Sequence, residues 1–174
     1  MYQRVDAPPM PRDCVLTCSF RVFGAIKTEI MSKIEIVNGE VFRDERGQIS
    51  SLNAFRFPGV ERVYFIHHPD VSVVRGWHAH RWEKKWFYCV KGSFTIALVE
   101  PDNWENPSPD LKPEIFEIDE RDSKIICVPE GFANCIKAHE KDSVLMVFSG
   151  KILEEALLDS WRYDKNMWVD WSKY

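Results

Sequence analysis

The sequence predicts an all-β domain, either a sandwich or a barrel, with about ten short strands. Short apolar runs recur at similar spacing from Ile34 to Leu158. Turn residues separate the runs, among them Asn38-Gly39, Pro58-Gly59 and Lys91-Gly92. No stretch has a convincing helical period. Together the spacing, the turns and the missing helical pattern indicate one antiparallel β architecture.

The runs can be assigned to strands in chain order, with one segment left open. Leu153 to Trp161 contains Glu-Glu-Ala-Leu-Leu, so it is either the last strand or a short helix. A further strand is expected at Arg75–His80. The other predicted strands are Ile34–Val37, Glu40–Arg43, Gly47–Leu52, Val60–His67, Trp86–Val90, Phe94–Val99, Ile115–Ile118, Lys124–Val128, Asn134–Ala138, Val144–Phe148 and Leu153–Leu158.

The chain of 174 residues is long enough for one domain with a full core, given that 45% of its residues are hydrophobic. The net charge of -4 argues against a general nucleic-acid surface or an anionic-membrane surface. A local basic pocket for a phosphorylated small molecule remains compatible with this charge. We therefore expect no nucleic-acid partner and no membrane partner.

The first thirty residues differ from the rest. Pro8, Pro9 and Pro11 interrupt them, and Met31 resembles a second, natural start. We therefore expect residues 1–30 to be a loose N-terminal extension or a mis-assigned start, and 31–174 to be a single domain. The Cys14 and Cys18 pair would need two further ligands to hold a metal, so we place no site there.

The cysteines favour a reducing compartment. Their number, five, is odd, and Cys89, Cys127 and Cys135 lie inside apolar runs, where they are typical small buried residues. No apolar run approaches the ~18 residues of a membrane helix, and the start lacks the features of a signal peptide. We expect a cytoplasmic protein.

The stretch Arg75-Gly76-Trp77-His78-Ala79-His80 carries the strongest functional signal. Side chains two apart on a strand share a face, so His78 and His80 are expected to project together. Two adjacent imidazoles are either half of a metal site or acid–base groups. Five nearby aromatic residues either stack on a ligand or belong to the core or a subunit interface: Trp77, Trp82, Trp86, Phe87 and Tyr88.

The His-x-His strand, the turn at Gly92 and the later Pro129-x-Gly131-x-x-Asn134 together resemble the two motifs of the cupin superfamily. This resemblance implies a jelly-roll barrel of the double-stranded β-helix type, with the site inside it. Metal-binding cupins supply two histidines and a glutamate from the first motif and a histidine from the second.

Two of those four ligand positions are changed here. Lys85 stands where the family has glutamate, and Asn134 stands where it has histidine. A cationic side chain repels a divalent ion, and an amide is a weaker ligand than imidazole. We therefore expect neither metal nor other cofactor. A metal-dependent cupin remains an alternative if Glu83, with His139 or His67, replaces the missing ligands.

Within the cupins, the chain is most similar to metal-independent nucleotide-sugar enzymes, a group that includes WxcM-like proteins. These are the dTDP-4-dehydrorhamnose 3,5-epimerases and the dTDP-4-keto-6-deoxyglucose 3,4-ketoisomerases. The similar segments are Phe42–Gly47, Arg62–Ile66, Arg75–His78, Lys85, Val128–Ala133 and Trp161–Asp164.

The resemblance implies proton transfer next to a ketone of a dTDP-4-keto-6-deoxyhexose, a small-molecule nucleotide sugar. It gives His78 the role of base and Lys85 that of stabilising the enolate. His80 and Tyr64 correspond to residues that lie at the sugar in the ketoisomerases. Arg46 and Arg75 correspond to residues that bind the diphosphate. We also expect Arg62, Glu83 and Asn134 to contact the substrate.

The residues leave the exact reaction open. The His-Ala-His motif resembles the ketoisomerases, whereas Pro129–Ala133 and the C-terminal segment resemble the epimerases. The tyrosine and aspartate that assist the epimerases have no counterpart in the chain. A non-catalytic sugar-nucleotide-binding cupin is therefore an alternative to an isomerase. The similar families are dimers, which implies a homodimer here.

Overall fold

The computed structural model describes residues 33–174, and the predicted extension at 1–30 lies outside the described residues. Twelve strands, one short α-helix and one 3-10 helix are assigned within that range. The first six strands are β1 (Glu35–Asn38), β2 (Glu40–Asp44), β3 (Gly47–Ser51), β4 (Arg62–His68), β5 (Val74–Ala79) and β6 (Lys85–Lys91). The remaining elements are β7 (Ser93–Val99), β8 (Glu114–Asp119), β9 (Lys124–Val128), β10 (Ala133–Ala138), β11 (Ser143–Ser149), α1 (Leu153–Leu158), β12 (Trp161–Arg162) and the 3-10 helix Trp171–Lys173.

Two five-stranded antiparallel sheets form the domain. The first has the order β1-β9-β6-β11-β4, and the second has the order β12-β5-β10-β7-β8. Strands β2 and β3 form a separate hairpin. The crossovers between sheets are those of a jelly roll, so the predicted all-β, cupin-type barrel is confirmed. Leu153–Leu158 is the helix, not the strand, of the two alternatives.

The core fills the space between the sheets. Alternate residues of each strand point inward, as in Phe87 and Cys89 of β6, and Leu145 and Val147 of β11. Separate apolar clusters cover the outer face of each sheet. Cys89, Cys127 and Cys135 are free thiols. Within residues 33–174, no helix is both long and apolar enough to cross a membrane.

A bulge in β5 places the central motif on the inner face. Arg75 pairs with Ile136 and His78 pairs with Asn134, so two residues of β5 stand opposite Cys135 alone. Gly76 occupies the bulge with φ of 147°, and a Cβ there would lie 2.6 Å from the Cys135 Cα. The extra residue brings Arg75 and His78, three apart in sequence, onto the same face.

His68, at the far end of β4, is buried, and neither of its ring nitrogens has a hydrogen-bond partner within residues 33–174. Its ring packs edge-on against Phe94 at 5.4 Å between centroids. Burial, assisted by the charge of Arg75, lowers the pKa of His68. The unfolded chain therefore binds a proton that the folded chain excludes.

We expect His68→Leu to make the domain less sensitive to acid. In the parent protein, this histidine costs stability as the pH falls below its unfolded pKa of about 6.5, because only the unfolded state takes up the proton. Urea unfolding at pH 7 and pH 5 should show a smaller loss in His68→Leu. The exposed His67 of the same strand gives the matched control, and an equal loss in both variants would contradict the expectation.

Candidate active site

Polar side chains gather at one end of the barrel, where several strands begin or end. Ser149, the last residue of β11, pairs with Arg62, the first of β4, and with Lys85, the first of β6. On the facing sheet, His78 lies near the end of β5, and His80 follows that strand. The topology therefore brings residues from distant parts of the sequence into one inward-facing group.

Glu83 is the centre of this group. Its Oε2 lies 3.0 Å from His80 Nε2 and 3.5 Å from Lys85 Nζ. Its Oε1 accepts hydrogen bonds from Arg62 Nη2 at 3.3 Å and from the Ser149 hydroxyl. The carboxylate is 3% exposed, so it has little access to a ligand. The structure thus makes Glu83 an internal partner of the other polar groups.

The charges of Glu83 and Lys85 depend on each other. Burial opposes ionisation of Glu83, but hydrogen bonding by His80 and the charge of Lys85 outweigh it and hold the pKa of Glu83 at about 2. Burial lowers the pKa of Lys85, and the Glu83 carboxylate counteracts this. Lys85 is 5% exposed, so it is a buried cation and not a solvated surface charge.

His80 has one nitrogen held by Glu83. An ionised carboxylate can only accept a hydrogen bond, so the nitrogen that faces Glu83, Nε2, is the one that carries a proton. The other nitrogen, Nδ1, is buried with no hydrogen-bond partner in the described part of the chain. A carboxylate that orients an imidazole and fixes its tautomer is a common arrangement for acid–base work.

His78 lies beside His80, with 4.5 Å between their ring centroids. Its Nε2 is 2.9 Å from the hydroxyl of Ser160. Burial, together with the nearby charges of Lys85 and Arg162, lowers the pKa of His78 to about 3. The ring is therefore neutral at physiological pH and can accept a proton.

Asn134 supports His78 through the backbone. Its Nδ2 donates to the His78 carbonyl oxygen at 2.8 Å, and the side chain is 6% exposed. The amide nitrogen is therefore already used within the protein. Substrate contact by Asn134 stays a prediction, and the geometry favours a structural role.

We expect Asn134→Ala to lower the free energy of unfolding by about 1–2 kcal/mol, the usual effect of losing a buried hydrogen bond. Since the amide supports the backbone of His78, KM for a nucleotide sugar should change little. Urea unfolding and steady-state kinetics separate the two roles. A large rise in KM with unchanged stability would show that Asn134 binds substrate.

Tyr64 lies on β4 and Arg75 lies on β5, which belong to the two facing sheets. Burial and the charge of Glu83 raise the pKa of Tyr64 to about 12, so the phenol stays protonated. The Arg62 guanidinium lies over the Tyr64 ring at 5.0 Å. Arg75 is exposed on β5, and its positive charge partly opposes the rise in the pKa of Tyr64. Arg75 is therefore accessible to solvent, and its contact with diphosphate stays a prediction.

Within residues 33–174, Arg46 does not join this group. It lies at the turn of the β2–β3 hairpin, where it bonds to Asp44, and its side chain is 77% exposed. This pairing within the turn gives Arg46 a local structural role, while its role toward diphosphate stays a prediction. Of the five aromatic residues, Trp77, Trp86 and Phe87 are buried and Trp82 is 60% exposed.

Comparison with known proteins identifies the family. The family model described as "FdtA: WxcM-like, C-terminal" matches residues 32–165, most of the chain. The protein belongs to the WxcM-like C-terminal family. None of the curated proteins matches it.

Solved structures share the fold of this WxcM-like domain. QdtA, a sugar 3,4-ketoisomerase from Thermoanaerobacterium thermosaccharolyticum in complex with TDP, has a TM-score of 0.61 and 20% identity over 79% of this chain and 93% of that chain. The rmlC epimerase of Mycobacterium tuberculosis has a TM-score of 0.66 and 21% identity over 82% and 76%. A dTDP-4-dehydrorhamnose 3,5-epimerase from Sulfolobus tokodaii has a TM-score of 0.64 and 22% identity over 79% and 80%.

The polar group of this WxcM-like domain does not fit the divalent metal that many cupins hold. The Lys85 ammonium lies 3.5 Å from the carboxylate that would have to be a ligand. Asn134 stands where metal-binding cupins have histidine, and an amide is a weaker ligand than imidazole. Within residues 33–174, no set of three or more His, Cys, Asp or Glu is placed to hold a metal. Metal-independent chemistry therefore stays our expectation.

Two members of the site were not predicted from the sequence, Ser149 and Ser160. Ser149 donates to Glu83, and Ser160 meets His78. Serine is common on protein surfaces and in turns, and neither residue belongs to a recognisable motif. Only the topology reveals them, because each contacts a partner more than sixty residues away.

Proposed function

We propose that this WxcM-like protein is a nucleotide-sugar isomerase that acts next to the keto group of a dTDP-4-keto-6-deoxyhexose. The pair His78 and His80, with Glu83 behind it, is the observation that carries the proposal. The 3,4-ketoisomerases and 3,5-epimerases among its structural neighbours bind or act on such sugars. The reaction is proton transfer by histidine, without a metal.

The charges around the pair suit this substrate. A bound diphosphate and a developing enolate are both negative. Lys85 and Arg62 provide positive charge at Glu83, next to the pair, and Arg75 lies on the same strand as His78. The negative charge of a bound substrate would also offset the nearby positive charges that lower the pKa of His78, so this pKa should rise. His78 would then accept the proton more readily when substrate is bound than when the site is empty.

The geometry favours a 3,4-ketoisomerase. Moving a keto group between neighbouring carbons requires taking a proton from one carbon and giving one to the next, along one edge of the sugar. His78 and His80 adjoin each other on the same side of the barrel. We propose that one imidazole takes the proton at carbon 3 and that the pair delivers a proton at carbon 4, through an enediol whose oxygen Lys85 stabilises. In the same isomerisation oxygen 4 gains a proton and oxygen 3 loses its hydroxyl proton, so the overall composition of the sugar is unchanged.

A 3,5-epimerase is the second candidate, and Tyr64 supports it. Inversion needs a base on one face of the sugar and an acid on the other. Tyr64 belongs to β4 of the facing sheet, and its pKa of about 12 keeps the phenol protonated. It could therefore provide the acid that the chain otherwise lacks.

One experiment separates these reactions. Metal-stripped protein is incubated with dTDP-4-keto-6-deoxyglucose in deuterated water, and the product is analysed by NMR. A keto group at carbon 3 with label at carbon 4 supports the ketoisomerase, and label at carbons 3 and 5 supports the epimerase. His78→Asn provides the background. No exchange above it would contradict both and favour a sugar-nucleotide-binding cupin.

We also propose a cytoplasmic homodimer. Strand β4 lies at the edge of its sheet and exposes Val63 and Phe65 on its outer face. The β2–β3 hairpin exposes Phe42 and Ile49, which pair across it. A second copy covering these residues would remove an open edge from solvent. Sedimentation equilibrium tests this, and a monomer at micromolar concentration would contradict it.

A further inference from the structure

Ser160 meets His78 at the open side of the site. Its Oγ lies 2.9 Å from His78 Nε2, although the two residues are 82 positions apart in the sequence. Ser160 is exposed, whereas His80, Glu83 and Lys85 are buried. The hydroxyl therefore connects the half-buried imidazole to solvent.

The position of Ser160 is fixed from both sides. The buried carboxylate of Asp159 accepts a hydrogen bond from the Trp82 backbone N–H at 2.9 Å and one from the Trp161 indole at 3.3 Å. Trp161 in turn pairs with Ala79 of β5. Ser160 lies between these two anchored residues, so its contact with His78 is part of the folded framework.

We propose that Ser160 passes protons between His78 and water during catalysis. This inference rests on the proposed function. His78 takes the proton from the sugar on Nε2, the nitrogen that faces Ser160, and this Nε2–H then donates to the Ser160 oxygen. As that proton moves onto the oxygen, the original hydroxyl proton passes to a water molecule. Serine ends as the neutral alcohol, His78 ends as the neutral imidazole, and water is the acceptor that balances the step.

The surroundings of His78 explain why its proton needs a route to water besides its return to the sugar. Burial and the neighbouring cations Lys85 and Arg162 disfavour the imidazolium form. A proton taken up there has a short lifetime and either returns to the sugar or leaves. Ser160 provides the path by which it leaves, so it controls what fraction of the product hydrogen comes from solvent.

Deuterium content at low conversion tests this path. Wild type, Ser160→Ala and Ser160→Thr are compared with dTDP-4-keto-6-deoxyglucose in deuterated water. We expect the deuterium per product to fall several-fold in Ser160→Ala and to recover in Ser160→Thr, which keeps the hydroxyl. A loss of kcat in Ser160→Ala with an unchanged deuterium fraction would mean that Ser160 merely positions His78, and would overturn the proposal.

A measurement without substrate keeps this test separate from the proposed function. Hydrogen exchange of the His78 ring N–H with water is followed by ¹⁵N NMR, with Ser172→Ala, a change in the exposed C-terminal turn, as control. Slower exchange in Ser160→Ala alone supports the relay, even if wild type does not turn over this sugar. Equal exchange rates in wild type and Ser160→Ala would overturn it.

Discussion

Replacing His80 by asparagine is expected to lower kcat by about two to four orders of magnitude, the range for one positioned general acid or base. His80 Nε2 lies 3.0 Å from Glu83 Oε2, and its Nδ1 is buried with no hydrogen-bond partner within residues 33–174. Asparagine keeps a polar side chain in the space but cannot take up a proton. KM should change much less, because the imidazole acts on the reacting proton and not on the nucleotide.

His67→Asn is the matched control. His67 lies on the exposed face of β4, outside the polar group, so this change should leave kcat within experimental error. Steady-state kinetics on both variants is the measurement, and circular dichroism confirms that each is folded. If His80→Asn kept a kcat close to that of wild type, His80 would have no part in proton transfer.

Most of the fold could be predicted from the sequence because it depends on local patterns. Turn residues such as Asn38-Gly39 and Lys91-Gly92 separate the strands at the predicted places. The sequence left open whether Leu153–Leu158 is a helix or a strand, because six residues are too few to show a helical period. The bulge at Gly76 was also invisible, because it depends on how β5 pairs with β10.

The site was predictable where one strand carries it and unpredictable where the topology assembles it. His78 and His80 lie side by side, as their spacing of two residues at the end of β5 indicates. Glu83 was expected to contact substrate, and whether it does remains untested. In the structure its carboxylate contacts both His80 and Lys85, and the sequence spacing of these residues does not predict that arrangement. Ser160 reaches the site from beyond α1, so sequence proximity could not reveal it.

The second large effect is expected for stability. Glu83→Ala should lower the free energy of unfolding by about 3–5 kcal/mol, because it leaves buried cations without their partner. Lys85 and Arg62 both contact this carboxylate, and Lys85 is 5% exposed. The Lys85 ammonium would then lose the interaction that opposes its desolvation, so its pKa should fall further.

Two further variants show whether the uncompensated charge causes that loss. Glu155→Ala breaks the exposed ion pair with Lys151, 3.0 Å long, and should cost at most about 1 kcal/mol. Glu83→Ala combined with Lys85→Met removes both buried charges, so urea unfolding should show part of the stability restored. If the double variant were no more stable than Glu83→Ala, lost packing would be the cause.

Activity should stay low in the double variant, because His80 lacks its orienting carboxylate and the enolate lacks its cation. Recovery of stability without recovery of turnover would therefore show that the chemistry needs the Glu83–Lys85 pair even when its loss no longer destabilises the fold.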